Sequence, residues 1–166
     1  YFFSSSPTID VKAILLGYFA TILSNDCQNI ILNINFIMNL FKKNINHLLN
    51  HCGNLKKDEN LLIISDKKTF KLGRNFEAIS KKKTKNVIHI LSQELKYHGQ
   101  EPSSFIKKNM IKSDLIISLI SKSIAHSTAR NLASKRGARF LSLPDYSEKL
   151  IKSNYININY KKKIDI

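Results

Sequence analysis

Asp114-Leu-Ile-Ile-Ser-Leu-Ile-Ser-Lys-Ser-Ile-Ala-His-Ser-Thr-Ala-Arg-Asn-Leu-Ala-Ser-Lys-Arg-Gly-Ala-Arg-Phe-Leu-Ser-Leu-Pro-Asp145 is the stretch whose reading decides the fold. Asp114 to Ile120 is a short apolar run rich in β-branched residues, the pattern of a strand buried on both faces of a parallel sheet. Ser121-Lys-Ser123 breaks it, and Ser123 suits a helix N-cap because its hydroxyl can accept from an amide that the helix start leaves unpaired. Ala125, Ala129, Leu132 and Ala133 then make one apolar stripe at helical spacing. Gly137 ends the helix by taking a left-handed conformation, after Lys135 and Arg136 have set positive charge at the negative end of the helix dipole. Ala138 to Leu143 is the next strand, stopped by Pro144, which cannot donate to a sheet ladder. The stretch therefore predicts a βαβ unit.

Upstream, the same alternation repeats. Leu61 to Ser65 reads as a strand, Thr69 to Lys82 as a helix with Leu72, Phe76 and Ile79 on its buried side, and Asn86 to Leu91 as a second strand. His89 lies within that strand and reads as a hydrogen-bonded packing residue. Pro102 suits the first position of a further helix, with Phe105, Ile106 and Met110 buried. Before these, Ile30 to Cys52 reads as a helix with Ile37, Leu40, Phe41, Ile45 and Leu48 near one face and Gly53 as its stop. Strands alternating with crossover helices imply an α/β, Rossmann-like fold. Its sheet is mostly parallel, of about four strands with flanking helices, and is preceded by an N-terminal helical segment. The organisation expected is an apolar, poorly defined segment over 1–29, the α/β domain over 30–153, and a Lys-rich tail or truncated link over 154–166. The start at Tyr1 rather than Met makes a fragment or processed product the expectation.

Composition bounds the class. The 166 residues suffice for one ordinary domain. The net charge of +15 suggests a nucleic-acid partner. Against that, the lysines are spread along the chain, no recognition module accompanies them, and Lys81-Lys82-Lys83 sits where a helix should end. A nucleic acid is therefore not the expected partner. Cys27 and Cys52 form neither a CxxC pair nor a disulfide framework, which fits a reducing compartment. The longest apolar run, Ala13 to Leu23, has 11 residues against the roughly 20 that a spanning helix needs. The expectation is a cytoplasmic chain with no membrane partner.

In parallel α/β sheets, ligands gather beyond the carboxyl ends of the strands. No GxGxxG or Walker loop follows the first strand, so a dinucleotide is not expected. Ser121, Ser123 and His126 are the candidate site for a small anionic ligand, a carboxylate or phosphate, with Lys122 adding charge. His47 and His51 have the i, i+4 spacing of a metal pair with Cys52 beside them. No acidic residue accompanies them in the helix, and Asn44 and Asn50 read as its solvated side, so no metal ligands are assigned. Ser123, His126 and Asp145 include the residue types of a nucleophilic triad, but no nucleophile elbow precedes them, and no catalytic residue is assigned.

Leu55-Lys-Lys-Asp-Glu-Asn-Leu-Leu-Ile-Ile-Ser-Asp66, His98-Gly-Gln-Glu-Pro102, Ser123-Ile-Ala-His-Ser127, Gly137-Ala-Arg139 and Leu143-Pro144 follow one another at sensible spacing. Together they resemble the landmarks of the N-terminal domain of the M29 family of metallo-aminopeptidases, the leucyl aminopeptidase or thermophilic metalloprotease group. The resemblance covers about Leu48 to Leu150. The chain departs from the family pattern at Ile124-Ala125 and Ser127, at Ser103 in place of a second proline, and at Asp145-Tyr146. The resemblance implies a two-domain homodimer that removes N-terminal residues from peptides with a pair of divalent metal ions (Co, Zn or Mn). Its metal ligands lie in a C-terminal domain. Lys152 to Ile166 has no histidine and one carboxylate. The chain is thus expected to be a non-catalytic N-terminal domain that binds no cofactor itself and meets peptide substrate only through a missing C-terminal domain. The alternatives are a stand-alone module binding a small anionic ligand, or a basic nucleic-acid-binding domain.

Overall fold

The structure, a computed structural model, describes residues 11–156, with side chains from Cys27 onward. The chain divides into two compact units, Tyr1–Met38 and Asn39–Ile166. The first helix, α1, runs over Val11–His47 and so begins well before the Ile30 that the apolar pattern suggested. In the first unit Ile30, Ile31, Leu32, Ile34, Phe36 and Ile37 are exposed, so Ile37 does not join the buried face expected of it.

The second unit is the α/β domain. β1 (Leu61–Ser65) and β3 (Leu115–Ser118) are buried at every position, because both faces of the sheet are covered. Side chains alternate across a strand. Leu61, Ile63, Leu115 and Ile117 accordingly face a core containing Phe41, Ile45, Leu72 and Phe76, while Leu62, Ile64 and Ile116 face one containing Ile106, Met110, Ala129 and Ala133. With β2 (Val87–Leu91) and β4 (Arg139–Ser142) the sheet has the order β2-β1-β3-β4, all parallel. The helices α2 (Phe70–Ser80), α3 (Ser104–Ile111) and α4 (Thr128–Lys135) connect them. The chain moves from β1 to β2 in one direction and from β2 through β3 to β4 in the other. Right-handed crossovers then put α2 on one face and α3 and α4 on the opposite one. The Rossmann-like reading holds.

Within this unit α1 closes in a π-helical turn, Leu48–Cys52, where Gly53 N–H donates to Leu48 O at 2.8 Å. Gly53 is needed for close approach, since a Cβ there would lie 2.8 Å from Leu115 Cδ2. Asn44, expected on a solvated side, is fully buried and donates to Ile151 O at 2.7 Å and Ser153 O at 2.8 Å. It thereby ties α1 to a short helix, α5 (Glu148–Ile151), that the sequence pattern did not announce.

Other boundaries shift for identifiable reasons. Pro102 is not the first residue of α3: Ser103 is its N-cap, its hydroxyl accepting from Ile106 N–H, and the helix begins at Ser104. Phe105 and Leu132 lie on outer helix faces and are exposed, whereas Ile106, Met110, Ala129 and Ala133 are buried. Gly137 ends α4 at φ 93°, the left-handed conformation expected of it. Cys27 and Cys52 are free thiols. Among the described residues no helix is long and apolar enough to cross a membrane. Most of the Lys-rich tail, 157–166, lies outside the described residues.

Asn44→Leu keeps the number and branching of the side-chain heavy atoms but strips two carbonyls of their donor. We expect it to lower the unfolding free energy by about 2 kcal/mol, measured by urea denaturation with an unchanged m-value.

Candidate functional site at the carboxyl end of the sheet

Chain direction reverses between β1 and β3, so the crevice beyond their carboxyl ends is the topological switch point where ligands of this fold class bind. Asp66, the first residue after β1, is 6% exposed. Its Oδ1 accepts from Thr69 N–H and Thr69 Oγ1, each at 3.0 Å, and its Oδ2 accepts from Ser121 N–H at 2.7 Å and Ser121 Oγ at 2.6 Å. Burial pushes the carboxyl pKa up, but the hydrogen bonds from Ser121 and Thr69 outweigh it and hold Asp66 below the usual carboxylate range. The two loops at the switch point are thus clamped together by one carboxylate.

A second lock lies beside it. Gly99, at φ 83°, donates its N–H to Ser123 O at 2.7 Å, and Ser123 N–H donates to His98 Nδ1 at 3.2 Å. The helix α4 starts four residues later than expected. Ser127, not Ser123, is its N-cap, with its hydroxyl accepting from Arg130 N–H. The next two amides, Thr128 N–H and Ala129 N–H, donate to the two oxygens of Glu101. For Glu101 desolvation raises the pKa, and the bonds from Thr128 and Ala129 reverse that and lower it. A carboxylate at a helix N-terminus also meets the positive end of the dipole.

These contacts place each candidate residue. Ser121 gives its donors to Asp66. Ser123 Oγ accepts from Ala125 N–H at 3.2 Å and lies 3.2 Å from Ser142 Oγ. His126 is exposed, and a Cβ built on Gly99 would lie 3.9 Å from its own Cβ. The three residues share one loop, yet the donors of Ser121 and of the α4 start are already given to the chain's own carboxylates. No hydrogen bond joins Ser123, His126 and Asp145 among the described residues. Asp145 sits across the sheet edge at φ 61°. Between it and the start of α2 a cleft of about 460 Å³ opens, with Lys68, Lys71 and Ser121 on one side and Ser147 and Glu148 on the other. Lys71 Nζ spans its mouth to Glu148 Oε1 at 3.5 Å.

The packing role expected of His89 has a definite geometry. His89 Nε2 lies 2.7 Å from Ser65 Oγ, and Nδ1 lies 3.5 Å from Glu77 Oε2. The order Ser, His, Glu is that of a charge relay. Ser65 is fully buried, however, and α2 seals the group. A Cβ on Gly73 would lie 2.4 Å from His89 Nε2, and the Phe70 ring stacks on the imidazole at 5.3 Å. No substrate reaches such a hydroxyl, so the triad is a packing network joining α2 to β1 and β2. Burial lowers the His89 pKa, with Glu77 opposing the shift.

His47 and His51 bring their rings to 4.7 Å, but among the described residues no three His, Cys, Asp or Glu side chains converge. Compared with family models, with curated proteins and with solved structures, the chain has no match.

Two outcomes test these contacts. Gly73→Ala forces its methyl into His89 and should destabilise the fold by about 1–3 kcal/mol, read as a lower urea midpoint. His89 has a lowered folded pKa, so its contribution is complete above 6.5 and is lost as pH falls from there toward the folded value. The Asp66 contribution, also from a lowered pKa, is complete above 3.8 and lost as pH falls further. Stability measured from pH 7.5 to 5.5 should therefore fall in the wild type. It should fall less in His89→Gln, with a remainder from His47, whose pKa is also lowered.

Proposed function

We propose that this chain is the N-terminal, non-catalytic domain of a metal-dependent aminopeptidase of the M29 type. One observation carries the reading. Three of the segments that bear the resemblance, distant in sequence, meet at the carboxyl end of the sheet, while Gly137–Arg139 meets the first of them at the amino end, where Arg139 pairs with Glu59. Asp66, closing the Leu55–Asp66 segment, holds Ser121. His98, Gly99 and Glu101 of the His98–Pro102 segment hold Ser123, Thr128 and Ala129. A set of motifs that interlock is what a domain wall needs: the loops are made rigid by one another, leaving the neighbouring cleft to face substrate or a second domain.

In this reading the domain is a scaffold, a wall of the peptide-binding cleft and part of a homodimer in the cytoplasm. The divalent metal ions, Co, Zn or Mn, and the hydrolytic chemistry belong to a C-terminal domain. A stand-alone module for a small anion draws less support, since the donors it would use at Ser121 and α4 already serve Asp66 and Glu101.

The test is hydrolysis of a leucyl amide with cobalt, zinc or manganese, comparing residues 1–166 with a polypeptide extended through the downstream reading frame. We expect turnover only in the extended form, and Glu101→Ala in that form to reduce it at least tenfold by loosening the cleft wall. Metal-dependent turnover by residues 1–166 alone would refute the assignment.

A further inference from the structure

A run of lysines, Lys81 to Lys85, is joined at the opposite, amino end of the sheet by Lys57 and Lys112 from two other loops. A cleft of about 380 Å³ is lined by Lys57, Lys81, Lys82, Lys83 and Lys85. A second, of about 520 Å³, shares Lys85 and Asn86 with it and reaches Lys112, past Asn60 and Asn109. Three loops contribute: the one before β1, the α2–β2 turn and the α3–β3 turn. Chain order shows the Lys81–Lys85 run but not that Lys57 and Lys112 join it.

Both edges carry ion pairs, and at the carboxyl end exposed Lys67 and Lys122 have no ion-pair partner among the described residues. At the carboxyl end Lys68 is 3.8 Å from Glu94 and Lys71 is 3.5 Å from Glu148. At the amino end Lys81 pairs with Glu77, and Lys83 meets the Asn50 side chain. Lys57, Lys82, Lys85 and Lys112 are exposed and have no ion-pair partner among the described residues. The nearby acids are Asp58, which lines the first cleft, Glu59, held by Arg139, and Asp114, whose Oδ2 accepts from Asn60 N–H at 2.7 Å. Dipole compensation does not absorb the lysines, because the two helix ends here carry only about half an elementary charge each.

We propose that this groove binds the sugar-phosphate backbone of a nucleic acid without reading its sequence. Apart from Asp58, its polar side chains are ammonium groups, amides and hydroxyls, the groups that contact phosphate and sugar. A protein partner would need aromatic or apolar anchors at the centre of the contact. None of the groove's side chains is aromatic, and Ile88 is its one large exposed hydrophobic residue. This proposal does not rest on the aminopeptidase reading.

The test is fluorescence anisotropy of a labelled 16-nucleotide single strand titrated with the full chain. Four unpaired ammoniums releasing counterions give a slope of log affinity against log salt of about −3, or roughly a 60-fold loss from 50 to 200 mM salt. Lys82→Glu/Lys85→Glu/Lys112→Glu should bring the slope to about −1. All three positions are exposed, so the variant folds, and circular dichroism confirms that. Lys42→Glu/Lys96→Glu/Lys149→Glu makes the same charge change at exposed positions outside the groove and should leave affinity within about threefold. Equal loss in the two triple variants would show that net charge, not the groove, binds the strand. Equal competition by polyglutamate, or binding to phosphatidylserine vesicles without binding to the oligonucleotide, would also overturn the proposal.

Discussion

A single carboxylate, Asp66, sets the geometry of the carboxyl end of this domain. It is nearly buried, and four hydrogen bonds satisfy it, two from the loop it starts and two from the loop after β3. A buried charge is tolerable only when its lone pairs are taken up in this way. The consequence is mechanical, because β1 and β3 are neighbours in the sheet and the clamp adds a side-chain tie between their exit loops. Helix α2 cannot drift from its place while Thr69, just before it, holds the same carboxylate.

Glu101 repeats the device one layer out. It supplies the negative charge that the start of α4 calls for, and Gly99 and His98 fix the same loop through Ser123. A helix start can bind an external anion because its amides are unpaired. Here the chain supplies its own. Asp66 and Glu101 together turn a fold class known for binding anions at this edge into one with internally occupied donors. At the amino end of the sheet Glu77 and Glu59 pair with Lys81 and Arg139, while Lys57, Lys82, Lys85 and Lys112 have no ion-pair partner among the described residues.

The buried strands were legible because their composition leaves little choice. Leu61 to Ser65 and Asp114 to Ile120 are too apolar and too β-branched to be surface helix, and the lengths between strands require crossovers. Helix faces were legible only in part. Ala129 and Ala133 were placed correctly, but Leu132, offset by one position, points outward, since a short helix on a sheet needs only a narrow stripe. Ser123 and Ser127 are both good caps, and local preference could not choose between them. The choice fell to Glu101, 26 residues before Ser127, through its bonds to Thr128 and Ala129. Asn44 was misplaced because an asparagine on a helix looks solvated until a distant pair of carbonyls is brought to it.

The sequence by itself determined the α/β class, the parallel sheet and the loops at the carboxyl ends of the strands, because periodicity, β-branching and glycine placement act locally and are written in neighbouring residues. Only the tertiary structure decided the strand order, the burial of Asn44, the Ser65–His89–Glu77 network, the capture of Ser121 and the α4 amides by Asp66 and Glu101, and the convergence of lysines from three loops. Each of these joins residues far apart in the chain. Such contacts depend on which elements the packing of the two cores brings side by side, which local preference does not encode.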